Sequence, residues 1–216
     1  KDETNEVSKK LSMFFNQYDK FIVEGKFEAK ILTGVLGIQE EDKYKIIDEE
    51  DKYKNKIIDA GGRDNVFREI RNLCYSGPEG RVLVITDGEN EGIYVIANRL
   101  KSMGCNDVEV DPPFVHVNGG KIDILVMGLP EEDYKGCTDS VMGRILEIEK
   151  KKKGLNVTGK CENDKNALWD YVCGAGSCSN EGFRNRLINN KDKIKGGLLE
   201  YITRSGKFAY NPYGKD

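Results

Sequence analysis

The sequence predicts an α/β protein with a mainly parallel sheet flanked by helices, an added antiparallel hairpin strand and a helical C-terminal extension. Three observations carry this reading. Short apolar runs, KFIVEG, NKIIDA and RVLVIT, alternate with segments whose apolar residues recur at helical spacing, the pattern of βαβ units joined by right-handed crossovers. Two more apolar runs, FVHV and KIDILVM, flank Asn118-Gly119-Gly120, residues suited to the positive φ values of a tight hairpin. Beyond Cys137 the apolar residues keep helical spacing.

Taken in order, Leu11, Met13, Phe14 and Phe15 mark a short leading helix in an otherwise polar start. KFIVEG is the first strand, and residues 26–36 form a helix with Phe27, Ile31, Leu32 and Val35 on one face. Residues 38–55 are too charged for a core and predict an exposed loop or a short edge strand around Ile46 and Ile47. NKIIDA is the second strand, followed by Gly61-Gly62 and a helix carrying Val66, Phe67, Ile70 and Leu73. RVLVIT, apolar throughout, suits a strand buried on both faces of a parallel sheet, and a helix follows over residues 92–103. After the hairpin, Val141, Ile145 and Ile148 mark a helix running to the lysines at 150–153, and further helices fall around 166–172, 183–188 and 198–202. The chain divides into a leading arm (1–19), an α/β domain (20–136) and a helical extension packed on that domain (137–216).

Composition sets the bounds. With 216 residues and 38% hydrophobic content, the chain can bury a core without staples. Its 37 acidic and 34 basic residues leave a net charge of −3, so nucleic-acid binding would need a local basic face. The wealth of Lys and Glu suits a thermophilic source. No signal-peptide pattern is visible, and no apolar run approaches the roughly 18 residues of a membrane span. The expectation is a cytoplasmic protein with reduced thiols. Six cysteines without CxxC spacing or a nearby His cluster argue against zinc. Cys161, Cys173 and Cys178 are open to a ligand triad or a disulfide, with partly buried thiols as the default. No GxxxxGK[ST] loop is present, which argues against a P-loop nucleotide site.

The stretch VLVITDGENEGIYVI places Asp87, Glu89 and Glu91 just past a buried strand, where open α/β sheets bind ligands. Oxygen donors at this density suit Mg²⁺. The plain alternative is an acidic helix N-terminus. Upstream, FIVEGKFEAKIL repeats the arrangement, with Glu24 between a strand and a helix. Together, Glu24-Gly25-Lys26 with Glu28, then Asp87-Gly88-Glu89 followed by Gly92, resemble the Toprim domain. That domain is the metal-binding unit of topoisomerases, DnaG-type primases, small RNA-maturing nucleases and the overcoming-lysogenisation-defect nucleases. The Gly61-Gly62 turn extends the resemblance, which covers residues 20–127, and the layout looks like that of uncharacterised archaeal and bacterial Toprim-like proteins. The chain departs from the family at Glu89, which replaces the second aspartate of Asp-x-Asp, and at Glu28, where an aspartate is expected.

The resemblance implies a Toprim-like, Rossmann-like fold in which Asp87 and Glu89 hold Mg²⁺ or Mn²⁺. Glu24 would serve as general acid or base, or as a further metal ligand, in attack on a nucleic-acid phosphodiester. This describes a Mg-dependent nuclease or related phosphoryl-transfer enzyme. Glu91 and Asp139 are further candidate ligands; Glu91 also suits a helix N-terminus, and Thr138 or Asp139 a helix cap. Lys26, Gly61, Gly62 and Arg63 are candidate phosphate binders, set against a solvated lysine and a plain glycine turn with Asp64 or Asn65 capping the helix. Crowded carboxylates predict raised pKa values. His116, alone in an alternating run, reads as a surface or hairpin residue, and Trp169 with Tyr171 as packing for the C-terminal helices. The lysines at 150–153 read as a solvated helix end or a track for phosphates. The alternative function is a non-catalytic Toprim-like metal- or nucleic-acid-binding regulatory module, favoured by Glu89 and the balanced charge. An unrelated doubly wound α/β protein is the third possibility.

Overall fold

The apolar runs become strands. The computed structural model describes residues 2–37, 56–151, 156–174 and 176–210, and contains β1 (Lys20–Val23), β2 (Lys56–Asp59), β3 (Val82–Asp87), β4 (Glu109–Asp111), β5 (Phe114–Val117) and β6 (Ile122–Met127). They form one sheet in the order β2-β1-β3-β6-β5-β4. The pairings β2-β1, β1-β3 and β3-β6 are parallel, and β6-β5 and β5-β4 antiparallel. All six residues of β3 and of β6 are buried, because helices cover both faces of a parallel sheet. The hairpin turn matches expectation: Asn118, Gly119 and Gly120 have φ of 56°, 67° and 83°, which only glycine adopts freely. The sequence reading missed β4, whose three residues, Glu-Val-Asp, carry no apolar run and become a strand by pairing with β5.

Winding sets the position of the site. The chain goes from β1 outward to β2, returns past β1 to β3, crosses to the opposite edge at β4 and folds back through β5 to β6. With right-handed crossovers, α2 (Lys26–Lys30) and α3 (Arg63–Ser76) then lie on opposite faces. The reversal opens a crevice beyond the carboxyl ends of β1 and β3, the usual ligand position in such sheets. The helix expected over 26–36 is α2 followed at once by a wider π-helical turn, Ile31–Val35. Here Gly34 admits α8 (Asn180–Ile188), since a Cβ at Gly34 would lie 2.6 Å from Ile188 Cδ1. Residues 38–55, with the expected loop or strand at Ile46 and Ile47, fall outside the described residues, as do Lys152 and Lys153.

The remaining helices are α1 (Asp2–Phe15), α4 (Ile93–Ser102), α5 (Thr138–Ile145), α6 (Ile148–Lys151), α7 (Cys161–Cys173), α9 (Lys191–Ile202) and α10 (Gly206–Tyr210). The leading arm and the extension share the core of the α/β domain. Phe14 packs its ring 5.7 Å from Phe114 and 5.3 Å from Phe208. The Tyr201 hydroxyl donates to the Val126 carbonyl and accepts from the Gly128 N–H at 3.1 Å. Trp169 stacks on Phe183 at 4.7 Å, in keeping with its expected packing role. Among the described residues no helix is long and apolar enough to cross a membrane.

Two expectations need correction. The default of partly buried free thiols fails at Cys173 and Cys178, and of the two open alternatives the disulfide forms and the triad does not. Cys173 and Cys178 form a disulfide, whereas Cys161 lies at the other end of α7, roughly 18 Å away at ~1.5 Å per residue. His116 does lie in the hairpin, but it is buried, with 7% exposure. Register places it opposite Asp123. Its Nδ1 lies 2.7 Å from Asp123 Oδ1 and its Nε2 3.0 Å from Asp111 Oδ2. Asp123 also accepts from Tyr18 and Arg81, each at 2.7 Å, and Asp111 accepts from the Ser205 hydroxyl at 2.6 Å.

Burial alone would lower the His116 pKa, but hydrogen bonds to Asp123 and Asp111 hold it above the ordinary histidine value. A raised folded-state pKa means that this stabilisation is complete below the unfolded pKa of about 6.5 and is lost as pH rises through the folded value. Urea unfolding should therefore show stability declining above neutral pH. His116→Gln should cost about 2–4 kcal/mol at pH 6 and flatten that decline. An unchanged pH profile in the variant would refute the imidazolium clamp.

Candidate functional site

Because β1 and β3 are parallel neighbours with Val23 opposite Ile85, the residues that follow them meet at one sheet edge. Glu24 Oε1 accepts hydrogen bonds from the Thr86 hydroxyl and, at 3.0 Å, from the Asp87 N–H. Asp87 is 7% exposed, and its Oδ1 accepts from Thr138 N–H at 2.8 Å and from the Thr138 hydroxyl at 2.9 Å. The same hydroxyl lies 3.1 Å from Glu28 Oε1. Glu28 belongs to the short helix that starts directly after the Glu24-Gly25 turn, and it too is buried.

A threonine hydroxyl has a single hydrogen to donate, so it satisfies one of these carboxyls as a carboxylate, and the other contact calls for a proton on the carboxyl. Burial, reinforced by Glu24, pushes the Glu28 pKa up to about 7. Burial, then Glu28 and Glu24, raises Asp87 well above the usual carboxylate range. At both positions burial is the leading cause, and the carboxylate crowding expected from the sequence adds to it. A raised folded-state pKa makes ionisation cost stability as pH climbs from the unfolded value towards the folded one. Without divalent metal, the protein should lose about 2–3 kcal/mol from the Glu28 titration between pH 5 and 8. Glu28→Gln should remove that part of the loss, which urea melts at the two pH values would measure; an unaltered slope would refute it.

The loop after β3 is shaped by close backbone contact. A Cβ on Gly88 would lie 1.7 Å from the Tyr134 carbonyl oxygen. Glu89, at φ 49°, exchanges a pair of backbone hydrogen bonds with Gly136. This pairing brings the segment ending at Thr138 onto Asp87. The helix cap expected at Thr138 or Asp139 is instead Cys137, whose N–H donates to the Ser140 hydroxyl at 3.0 Å. One residue further on, Thr138 is free to grip the carboxylates.

Glu24, Glu28, Asp87 and Asp139 line a cleft of about 530 Å³ together with Lys26, Gly62, Lys165 and Arg184. Burial raises the Asp139 pKa. Burial opposes the charge on Lys165, yet Asp139 leads the neighbours that hold its pKa above the ordinary value. Glu89 and Glu91 instead face Arg63: Nη2 lies 2.7 Å from Glu91 Oε2 and Nη1 3.9 Å from Glu89 Oε2. Arg63 also donates to the Asp87 carbonyl, bracing the end of β3. The Gly61 N–H donates to Asp59 Oδ1 at 2.9 Å and the Gly62 N–H to the Glu24 carbonyl at 2.8 Å, so both amides are engaged within the protein. Gly62 itself is the N-cap of α3. Asp64 pairs with Arg99 at 3.3 Å, and Asn65 donates to the Ala60 carbonyl at 2.9 Å.

The structure thus unites Glu24, Asp87 and Lys26 with Asp139 in the cleft lining, which does not include Glu89, Glu91 and Arg63; Arg63 pairs with both of these glutamates beside the end of β3. It adds Glu28 as a buried carboxyl, Thr138 as its positioning hydroxyl, and Lys165 and Arg184 as cleft cations. Nothing local signals these last three, because their place depends on how α5, α7 and α8 pack together. Among the described residues, Glu24 Oε2 and Asp87 Oδ2 accept no protein hydrogen bond. No three His, Cys, Asp or Glu side chains there converge closely enough to enclose an ion. An all-oxygen donor set of one or two carboxylates with water completing the shell fits Mg²⁺ or Mn²⁺.

Fold and site define an α/β protein with a mostly parallel sheet and an acidic cleft at its switch point. Comparison with protein-family models, curated proteins and solved structures gives no match to this chain.

Proposed function

We propose that the protein is a Toprim-like, Mg²⁺- or Mn²⁺-dependent nuclease or related phosphoryl-transfer enzyme acting on nucleic-acid phosphodiesters in the cytoplasm. One observation carries the reading: Glu24 and Asp87 terminate adjacent parallel strands on either side of the topological switch point, joined by the 3.0 Å hydrogen bond from Asp87 N–H to Glu24 Oε1. Asp87, with Glu24, would hold the cation, which supplies a Lewis acid for a phosphate oxygen and an acidified water. Glu24, fixed by Thr86 and the Asp87 N–H, positions its second oxygen for proton transfer. Lys26, Lys165 and Arg184 offer positive charge at the mouth for a phosphate backbone. Burial of Asp87 keeps water from screening the interaction.

A non-catalytic, metal- or nucleic-acid-binding regulatory module is the second reading. It draws support from Glu89, which stands where the Toprim pattern has an aspartate and lies 3.9 Å from Arg63. Titration of Mg²⁺ and Mn²⁺ separates the two, with thermal unfolding and cleavage of labelled single- and double-stranded DNA and RNA read on the same samples. The enzyme reading expects a rise in Tm with each metal and cleavage that depends on it. Stabilisation without cleavage supports the module, and no response to either metal would refute the site.

A further inference from the structure

The helical extension brings aromatic rings as well as charge to the acidic cleft. From α7 come Lys165 and Trp169, one turn apart on the same helix face, and from α8 come Asn180, Phe183 and Arg184. Trp169 stacks on Phe183 at 4.7 Å with 12° between the planes, and Phe27 of α2 meets Phe183 at 5.7 Å. These rings belong to the same cleft lining as Glu24 and Asp87. Phe183 covers one face of the indole; among the described residues no second aromatic ring meets it, and Trp169 is only half-buried. An indole stacked on one side and lining a charged cleft has the form of a base-stacking platform.

The charges suit a nucleotide. Four carboxyls and three cations line the cleft, so a divalent ion held by Asp87 and Glu24 turns the balance positive and favours a phosphate. Arg184 Nη1 lies 3.7 Å from Glu181 Oε2, but Glu181 is exposed and such a pair is weak enough to yield to a phosphate. Asn180 adds a carboxamide, which both donates and accepts and so suits a base edge. The volume of about 530 Å³ falls within the roughly 300–1,000 Å³ of small-ligand sites. In a duplex each base is covered on both faces by its neighbours, so only an unpaired base has a face to offer Trp169.

We propose that Trp169, together with Lys165 and Arg184, forms a stacking subsite for one unpaired nucleobase and its phosphate and, resting on the phosphodiester reading of the metal site, that the cleft takes single-stranded DNA or RNA. The indole holds the strand by a base while the cation receives a phosphate. Base identity matters little to such a grip, because every base has a π-face.

Trp169 is the only tryptophan in the chain, so its fluorescence reports on the subsite directly. Four ligands are titrated into the full chain with Mg²⁺: thymidine DNA and uridine RNA strands of about ten nucleotides, an abasic DNA strand with the same phosphates, and a hairpin-closed duplex. All carry phosphorothioate linkages to resist cleavage. End-labelled ligands give binding by anisotropy, and unlabelled ones give the tryptophan emission. One or both base-bearing single strands should quench the emission in step with binding, which also identifies the sugar admitted, whereas the abasic strand and the duplex should not quench. Trp169→Leu should weaken binding of the quenching strand by roughly 5–150-fold and leave the abasic strand unaffected. Trp169→Phe, which keeps a stacking face, should stay within about tenfold of wild type. The wild-type titration decides the matter even if the leucine variant fails to fold. Binding without quenching, equal quenching by the abasic strand or the duplex, or equal weakening of both strands in Trp169→Leu would overturn the subsite and leave the nuclease reading standing. No Mg²⁺-dependent binding of any ligand would overturn both.

Discussion

Asp87→Asn should abolish the metal-dependent rise in Tm and reduce metal-dependent cleavage by more than about a hundredfold. The bound is a minimum, since groups that merely support a metal ligand are already worth about 10–100-fold. Asparagine keeps an oxygen for Thr138 N–H and the Thr138 hydroxyl, which approach Asp87 at 2.8 and 2.9 Å, so the local fold should survive. Burial raises the Asp87 pKa, and Glu28 and Glu24 raise it further; removing that charge relieves the cluster. At pH 8 without metal, the variant should therefore melt at or above the wild-type temperature. Parallel melts with and without Mg²⁺ check both halves. A wild-type metal response in Asp87→Asn would remove Asp87 from the site.

Gly88→Ala should destabilise the protein by about 3 kcal/mol or more, lowering Tm by roughly 6–12 °C. The reason is space. A Cβ there meets the Tyr134 carbonyl oxygen at 1.7 Å, and that obstacle is backbone. The segment must retreat, carrying Thr138 away from Asp87 and Glu28. Gly119→Ala is the matched control: its φ of 67° strains an alanine, but nothing lies within 4 Å of the added carbon. It should cost only about 1 kcal/mol. Equal effects in the two variants would mean that the close approach of the Tyr134 carbonyl does not require glycine at position 88.

The leading helix, the strand-helix alternation, the hairpin at Asn118-Gly119-Gly120 and the placement of Glu24 and Asp87 at strand ends are all written locally, as apolar period and turn chemistry. Glu24 and Asp87 were therefore legible as candidates without coordinates. That they touch was not, because contact requires β1 and β3 to be neighbours, and strand order is settled by long-range packing. The same holds for Thr138, which reads locally as a helix cap but is carried onto two carboxyls by the Glu89–Gly136 pairing.

His116 reads as a surface or hairpin residue, and its burial was not legible because a lone histidine in an alternating run gives no sign of Asp111 and Asp123, which β4 and β6 bring to its two nitrogens. The cysteines make the same point, since spacing along the chain cannot choose among their possible pairings. The sequence by itself determined most strands and helices, though not β4, and which acidic residues end them, since those properties depend on neighbours a few positions apart. Only the tertiary structure decided which carboxyls share a cleft, which are buried enough to hold protons, and that Glu89 turns to Arg63, because burial and charge proximity arise between residues far apart in the chain.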